Sequence, residues 1–579
     1  MILKNIKYIK QITDKKKFFY LKFYFFGFLI IAILDTISIG LVPGFISIIL
    51  DKNVLIEKLS FNEYTYNFLF DILNKENIII LSSIFLIFFF FLKFLLSSIF
   101  YYLEAKISND LKIFFSSSLF KVYLNKNYLY HAINNPVILG RNISSEVNST
   151  VFFIRTLVYY IKEIIQIILI VLLLFFANVK ITFILLILFA FFAFIYLKTF
   201  SNKLKKKVAV SFHERGEKSK IIIQILNAII EVKLHNKANF FARKFKNSII
   251  KEFQSVKFLD FINKLPKLSM ELLVVSMLCI SIIIALNLNF NIESLLPIFV
   301  LYFFAALRLY PSINGLLIHR LGIINNQISF NKVYDEFKNA SASSENLNEK
   351  NNENFSFDQK ILVKNLDFNY PNREKLLQDI NLEIKKNETV GIIGETGSGK
   401  STFIKILMGL IKPSNGDILI DDKNLNEIKT SFQRKIGYIP QNFYIFDDTI
   451  VKNVAFGIED EKIDFSKIKK AIKDAQLENF INQLPNKIQT VVGPNAKKIS
   501  GGQAQRLAIA RALYNDPEII VFDEATSSLD QETELEIMEN INKIKKNKTI
   551  IIITHKLNLL KFCDKVFKIE NQKISKVEN

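Results

Sequence analysis

Long apolar runs dominate the first 313 residues of the chain. Six of them reach the length of about 20 residues that a helix needs to cross a bilayer. They lie near Phe18–Leu50, Ile78–Tyr102, Thr156–Ala177, Ile181–Phe200, Leu268–Leu288 and Leu295–Ile313. Two charged connections, roughly residues 104–150 and 201–265, still carry apolar residues at helical spacing, so we expect the helices to continue into the cytosol. The pattern predicts a membrane domain of six helices with long cytoplasmic extensions.

The pattern changes near residue 355. Residues 340–354 (ASASSENLNEKNNEN) are polar and unlike a packed core, which is typical of a linker. Beyond them, short β-branched runs alternate with amphipathic helices, which predicts an α/β domain. ETVGIIG, EIIVFDEA and KTIIIITH have the composition of buried parallel strands, whose carboxyl ends form the ligand-binding edge in such sheets. The predicted order is a cytoplasmic N-terminal segment (1–17), the membrane domain (18–327), a linker (328–355) and the α/β domain (356–579).

Charge sets the expected orientation. Lys and Arg outnumber Asp and Glu by 75 to 54 although half of the residues are hydrophobic. Six lysines and one aspartate precede residue 18, whereas the 51–76 loop is acidic, so the positive-inside rule places both termini in the cytoplasm. We expect a multi-pass protein of a bacterial inner membrane. No nucleic-acid-binding motif accompanies the basic charge, which excludes that partner.

A phosphate-binding loop follows the first of these strands. GETGSGKS fits the P-loop pattern, in which glycines turn backbone N–H groups toward the β- and γ-phosphates of a nucleotide. Lys400 adds a fixed positive charge, and the Ser401 hydroxyl is placed for Mg²⁺. The predicted ATP contacts here are Gly394, Glu395, Thr396, Gly397, Ser398, Gly399, Lys400, Ser401 and Thr402.

Further along, polar residues at strand ends are candidates for hydrolysis. Asp523 is expected to hold Mg²⁺ through its water shell, and Glu524 to act as general base for the attacking water. The alternative is that these two acidic residues only cap the end of a strand in solvent and have no catalytic role. Gln441 is expected to reach the metal and the water.

Two aromatic candidates have stronger structural alternatives. His555 could contact the γ-phosphate, although a lone histidine is more often structural. Tyr370 offers a ring for stacking on adenine, or is an edge-strand aromatic.

In this order, GETGSGKS, Gln441, ISGGQ, VFDEATSSLD and His555 resemble the nucleotide-binding domain of the ATP-binding-cassette (ABC) family. The resemblance implies ATP and Mg²⁺ as cofactors and two copies paired head to tail. Each copy's signature loop would then close over ATP held by the partner's P-loop. It assigns nucleotide contacts to Ser500, Gly501, Gly502, Gln503 and Asp530. A homodimer is the simplest assembly, and a heterodimer with a similar half-transporter stays open.

The cassette departs from the family pattern without losing a phosphate-, metal- or water-handling group. Ile499 replaces Leu, Pro494 an acidic residue, Ala496 a Gly, and Lys556 an Arg. Six spans ahead of a cassette resemble the exporter branch, which implies coupling helices near Asn125–Asn135 and Ile229–Asn239.

Three charges interrupt the apolar spans: Asp35, Lys93 and Arg308. Each costs about 3 kcal/mol at the bilayer centre, so we favour residues lining a substrate path, with an ion pair of Asp35 as the alternative. Basic groups in such a path suit an anionic amphiphile.

The stretches 34–50, 306–317 and 434–457 resemble bacterial lipid-linked oligosaccharide flippases. The predicted function is therefore ATP-driven flipping of such a lipid or a related phosphate-bearing lipid. An exporter of peptides or hydrophobic drugs, and a nucleotide-gated channel or regulator, are the alternatives.

Overall fold

The protein forms two compact units. The computed structural model describes residues 2–50, 75–179, 220–287, 292–343, 355–371, 373–493, 498–524 and 547–577, with scattered positions at 182–218 and 535–539. One unit comprises Met1–Leu124 and Asn134–Ser343, and the other comprises Asn125–Ile133 and Ser344–Asn579. The break falls inside the polar stretch that predicted the linker.

Long helices build the N-terminal unit. In chain order the helices up to residue 343 are α1 (Ile2–Ile12), α2 (Lys15–Leu50), α3 (Lys75–Leu124), α4 (Tyr128–Ile133), α5 (Pro136–Arg141), α6 (Val147–Ala177), α7 (Ile229–Leu234), α8 (Ala238–Asn287) and α9 (Ile292–Ser343), with a π-helical turn at Asn142–Glu146. In the described part of the chain, four segments are long and apolar enough to cross a membrane: Lys15–Ile49, Ile78–Leu124, Pro136–Ala177 and Phe299–Asn339. They carry four of the six predicted spans. The predicted span 268–288 lies in α8, and the span 181–200 falls mostly outside the described residues, as does the 51–76 loop.

Two of the helices are much longer than a bilayer span requires. α3 and α8 each contain 50 residues, or about 75 Å at 1.5 Å per residue. A hydrocarbon core is only about 30 Å thick. The expected extensions beyond the spans are therefore present as continuous helices.

The linker prediction needs one correction. α9 continues to Ser343, well inside the segment 328–355. Phe330 and Val333 are buried, and the ring of Phe337 lies 6.0 Å from that of Phe115. The apolar side of α9 thus stays packed after the span ends, which keeps it helical until the polar residues begin.

Two sheets form the C-terminal unit. The strands are β1 (Lys360–Asn369), β2 (Lys375–Lys385), β3 (Thr389–Gly394), β4 (Asn415–Ile420), β5 (Lys423–Asn424), β6 (Ile436–Ile439), β7 (Ile519–Asp523), β8 (Thr549–Ile553), β9 (Lys565–Glu570) and β10 (Lys573–Val577). The helices are α10 (Lys400–Leu407), α11 (Leu425–Gln433), α12 (Ile450–Val454), α13 (Phe465–Asp474), α14 (Glu478–Asn482), α15 (Gly501–Leu513) and α16 (Leu557–Leu560), with short 3₁₀ turns at Asp460–Lys462 and Lys487–Gln489. The order is β2-β1-β4-β5 in the smaller, antiparallel sheet and β10-β9-β3-β8-β7-β6 in the larger.

The larger sheet creates the functional edge. β9, β3, β8, β7 and β6 run parallel, and β10 pairs antiparallel to β9. Every residue of β7 and β8 is buried, as their continuous apolar runs predict. Because the strands are parallel, the residues that follow β3, β6, β7 and β8 emerge along one edge.

The short helix α4 belongs to the C-terminal unit. Leu129 packs against that unit's hydrophobic core, and Lys405 Nζ lies 5.4 Å from the centre of the Tyr128 ring. The helix lies where the first coupling helix was expected. A second short helix, α7, lies where the other was expected.

Candidate nucleotide-binding and hydrolysis site

The P-loop connects β3 to α10. Gly394 ends the strand at φ +154°, and a Cβ there would come within 2.4 Å of the carbonyl oxygen of Ile569 on neighbouring β9. Gly399 caps α10 in the left-handed region at φ +101°. These conformations exclude most side chains, which explains the glycines. Residues 395–397 between them are exposed, so the loop's backbone faces solvent.

Lys400 is already turned onto this loop. Its Nζ donates to the carbonyl oxygens of Gly394 at 2.9 Å and Glu395 at 2.8 Å. Burial lowers the pKa of Lys400, and the nearby charges of Glu524 and Asp523 oppose that shift. The ammonium group therefore lies at the N-terminus of α10, where the helix dipole also favours an anion.

Tyr370 lies beside the same helix. Its hydroxyl is 3.1 Å from Thr402 Oγ1, and its ring packs edge-on against Phe368 with centroids 5.0 Å apart. The sequence-predicted adenine residue is thus adjacent to the P-loop helix. The stacking itself stays a prediction.

Asp523 closes the metal side of the site. It is buried at the end of β7, and Ser401 Oγ donates to Oδ1 at 3.0 Å. Tyr438 donates its hydroxyl to Oδ2, also at 3.0 Å. Carboxylate and hydroxyl oxygens are the hard ligands that Mg²⁺ prefers, so Ser401 and Asp523 fit the predicted ion.

Each carboxylate oxygen of Glu524 contacts another side chain. Gln441 Nε2 donates to Oε2 at 2.7 Å, and His555 Nε2 lies 2.8 Å from Oε1. The glutamate backbone has φ +49°, in the left-handed region, and its N–H donates to Ile553 at the end of β8. The three residues predicted to carry hydrolysis therefore meet at one point, although they come from three different strand ends.

The signature loop begins α15. Ser500 Oγ accepts from the N–H of Gln503 at 3.2 Å, and the Gln503 side chain accepts from the N–H of Ser500 at 2.9 Å. This reciprocal capping box fixes the first turn of the helix. Gly501 is exposed, and an added Cβ would meet nothing within 4 Å.

Sequence reasoning missed two of these features. The serine–glutamine spacing of SGGQ is the sequence signal of a capping box and could have identified it. Tyr438 gave no such signal, since a tyrosine in a strand is common and its contact with Asp523 depends on the pairing of β6 with β7. Asp530, Pro494 and Ala496 lie outside the described residues.

The three charges of the membrane domain form one cluster. Asp35 is buried, Lys93 Nζ lies 2.9 Å from its Oδ1, and Arg308 Nη2 pairs with its Oδ2. Gln166 Nε2 donates to Asp35 at 3.4 Å, and Lys93 donates to Ser38 at 3.0 Å. The ion pair named above as the alternative is thus present. One carboxylate faces two cations, which leaves one positive charge in excess.

Comparison with known proteins adds to this geometry. Residues 377–527 match the family model described as ABC transporter. The lactococcin-G-processing and transport ATP-binding protein of Lactococcus lactis subsp. lactis is 39% identical over 251 residues, 42% of this chain and 35% of that protein. The ATP-dependent lipid A-core flippase of Wigglesworthia glossinidia brevipalpis is 40% identical over 223 residues, 38% of each. The matches thus span just over a third of these relatives' length.

A solved structure also shares the fold of this chain. A solved bacterial Atm1-family ABC exporter with ATP bound superposes with a TM-score of 0.73 at 20% identity, covering 96% of this chain and 94% of that one.

A P-loop, an acidic pair at a neighbouring strand end and a capped signature helix together define a nucleotide-binding domain, and long apolar helices precede it in the chain. Residues 377–527 thus match the ABC transporter family, and the chain has the fold of a solved ABC exporter.

Proposed function

We propose that the chain is one half of an ATP-driven exporter that moves an anionic amphiphile across the membrane. The arrangement around Glu524 carries this proposal. A carboxylate at a parallel-strand end, held by an amide and an imidazole, is placed to accept a proton from water attacking a bound γ-phosphate. A protein that only senses nucleotide has no need of such a group, which argues against a gated channel or regulator.

The other residues of the site divide the remaining work. Lys400 and the loop N–H groups bind the phosphates, and the N-terminal dipole of α10 adds to the attraction. Ser401 and Asp523 would hold Mg²⁺, which when bound neutralises charge on the phosphate oxygens. Tyr438 fixes the rotamer of Asp523, and His555 orients Glu524 and would face the terminal phosphate of a bound nucleotide.

A second copy supplies the rest of the site. Gly501 is exposed, with room for a side chain in its own chain and no left-handed backbone angle to explain the glycine. The requirement for glycine therefore comes from outside the chain, which supports the close approach of a nucleotide held by a partner. Moving a two-state membrane domain from 1:99 to 99:1 takes about 5.5 kcal/mol of differential binding. Closing two such ATP sites supplies this free energy.

The substrate class follows from the Asp35 cluster, which carries excess positive charge within the spans. Arg308 remains 39% exposed although Asp35 is buried. A guanidinium facing lipid tails is costly, so its open side suits a water-filled path and an anionic headgroup. A lipid-linked oligosaccharide, with its diphosphate, is our specific proposal. The relatives include both a lactococcin-G transport protein and a lipid A-core flippase, so they do not separate these substrate classes.

Glu524→Gln tests the enzymatic part. The amide cannot accept the proton, so ATP should bind and stay trapped, and steady-state hydrolysis should fall by at least about 100-fold, the lower range of general-base effects. Glu518→Gln, at the opposite end of β7, is the matched control and should leave hydrolysis unchanged. Unaltered ATPase activity in Glu524→Gln would remove the base assignment.

The substrate class needs a separate assay. Proteoliposomes should flip a diphosphate-linked lipid with ATP, and the double variant Lys93→Gln with Arg308→Gln should do so several-fold more slowly. A neutral drug-like amphiphile should show no such difference. If the double variant flips the diphosphate lipid at the wild-type rate, the result would favour a peptide or drug exporter instead.

A further inference from the structure

A second polar layer crosses the membrane domain below the Asp35 cluster. We name Asp35, Lys93, Gln166 and Arg308 the midplane layer. The cytoplasmic layer consists of one residue from each of the same four helices: Tyr24 of α2, Glu104 of α3, Arg155 of α6 and His319 of α9.

The cytoplasmic layer is a connected network. Arg155 Nε lies 2.6 Å from Glu104 Oε1, and Tyr159 donates its hydroxyl to Glu104 Oε2 at 2.7 Å. The ring of His319 stacks on that of Tyr159 with centroids 5.1 Å apart. The hydroxyl of Tyr24 is buried near Glu104.

The two layers are related by one spacing in all four helices. Residues 24 and 35, 93 and 104, 155 and 166, and 308 and 319 are each 11 positions apart. Eleven residues make about three turns, so both members of a pair lie on one face of their helix. The rise is about 16 Å, which is roughly half the thickness of a hydrocarbon core.

This spacing fixes the depth of each layer. Asp35 lies halfway along the predicted span 18–50, whereas Glu104 and Arg155 lie just beyond the cytoplasmic ends of the spans that finish at Tyr102 and begin at Thr156. The cytoplasmic layer is therefore at the level of lipid headgroups in the inner leaflet.

The layers share a chemical design but differ in charge. In each, a buried carboxylate holds an arginine whose side chain stays open, 39% exposed for Arg308 and 47% for Arg155. In the cytoplasmic layer the two charges cancel. In the midplane layer Lys93 adds a second cation, so an anion gains attraction as it moves inward.

Building on the proposed function, we infer that the cytoplasmic layer is the first binding site for the headgroup of an anionic lipid taken from the inner leaflet. Arg155 binds the phosphate. Glu104 orients the guanidinium of Arg155 and lowers its affinity for the phosphate. The headgroup can therefore move on to Arg308 and Lys93.

A purely structural ion pair makes a different prediction. If Glu104 and Arg155 only hold α3 against α6, neutralising either one removes the same bond, and both changes act in the same direction. If Arg155 binds the anion and Glu104 opposes it, the two changes shift anion affinity in opposite directions. The sign of the effect separates the two roles.

The experiment measures binding of fluorescent phosphatidic acid to the full-length protein in phosphatidylcholine nanodiscs without nucleotide. Arg155→Gln should weaken binding about tenfold, the effect of one hydrogen bond to a charged group. Glu104→Gln should tighten binding by a similar factor while slowing ATP-driven flipping. Arg155→Lys should retain most of the affinity, and this pair of Arg155 variants decides the question if Glu104→Gln does not fold.

Arg141 provides a matched control on the same side of the membrane. Its Nε pairs with Glu146 Oε1 at 3.3 Å with a similar open side chain, 40% exposed, but 14 residues before Arg155. Arg141→Gln should leave lipid affinity unchanged. Glycerol phosphate, which lacks acyl chains, should not displace the labelled lipid, because the site takes its ligand from the bilayer.

The outcomes separate this inference from the proposed function. Equal weakening by both Glu104→Gln and Arg155→Gln, or no change in either, overturns the cytoplasmic site. If Arg308→Gln still weakens binding in that case, the anionic substrate class stands. If wild-type protein binds phosphatidylcholine and phosphatidic acid alike, the substrate class fails first and this inference fails with it.

Discussion

At the level of single residues, the metal side of the site depends on a tyrosine. Burial and the adjacent Asp523 raise the pKa of Tyr438, so its hydroxyl stays protonated and donates to that carboxylate. Ser401 occupies the other oxygen. Asp523 is therefore fixed in one rotamer, as the proposed Mg²⁺ site requires.

Tyr438→Phe should raise the Mg²⁺ concentration needed for half-maximal ATPase activity by about fivefold, which corresponds to one net hydrogen bond. Binding of a fluorescent ATP analogue in EDTA should not change, because the phosphate contacts are intact. Tyr444→Phe removes an exposed tyrosine hydroxyl outside the site and is the control. An unchanged Mg²⁺ titration would show that Tyr438 has no positioning role.

A substitution at Gly501 tests whether the requirement for glycine at this position comes from a nucleotide bound to the partner chain. Gly501→Ala fits its own chain, so the thermal unfolding temperature should stay within about 1–2 °C, as for a surface change of under 0.5 kcal/mol. ATP hydrolysis should nevertheless fall sharply, because the methyl group enters the space where the partner's nucleotide closes. A substantial loss of thermal stability would instead place the constraint within the chain.

The motif residues stood out in the sequence at this scale because their proposed chemistry dictates residue type and spacing. The contacts of Glu524 illustrate the limit. The sequence identified Gln441, Glu524 and His555 separately, but only the parallel order β6-β7-β8 brings them together. Tyr438 escaped detection because its role depends on register and not on a pattern of its own.

Among the elements, α4 joins the C-terminal unit although the chain around it belongs to the membrane domain. Leu129 lies against the cassette core, and the ring of Tyr128 lies close to the ammonium group of Lys405. Lys405 is in α10, six residues after Gly399, the glycine that caps this helix. A movement of α10 on nucleotide binding would therefore be transmitted directly to α4.

Leu129→Ala should uncouple the two activities. The nucleotide site is unchanged, so basal ATPase activity should stay within twofold, while ATP-driven lipid flipping should fall several-fold as α4 loses its partly buried contact with the core. Ile133→Ala, which truncates an exposed residue of the same helix, is the control. Equal losses of hydrolysis and flipping would mean that Leu129 supports the cassette itself.

Elements with a strong period were predicted well, and their ends less so. The buried strands β3, β7 and β8 follow their β-branched runs, and α2 follows its apolar run closely. The end of α9 was misplaced because polar sequence starts before packing stops. The pairing of Asp35 with Lys93 and Arg308 was open for a similar reason, since helix contacts across the bundle leave no periodic trace.

For the molecule as a whole, the proposed assembly means that each chain would contribute parts to two different ATP sites. Lys400 and Glu524 would serve the nucleotide bound to their own chain, and Ser500 and Gly501 the nucleotide bound to the partner. Two variants that each disable one part then have effects that depend on how they are distributed between the two chains of a dimer. That dependence distinguishes shared sites from self-contained ones.

Consider tagged dimers that carry Lys400→Ala and Ser500→Arg. With one change in each chain, both fall on the same shared site, and the other site stays intact and should trap one ATP analogue per dimer. With both changes in one chain beside a wild-type chain, each shared site loses one part, and no analogue should be trapped. Self-contained sites give the reverse: no trapping in the first arrangement and one analogue in the second. Measuring occluded nucleotide in both dimers therefore decides the assembly, because the two schemes exchange their results while every dimer contains the same set of side chains.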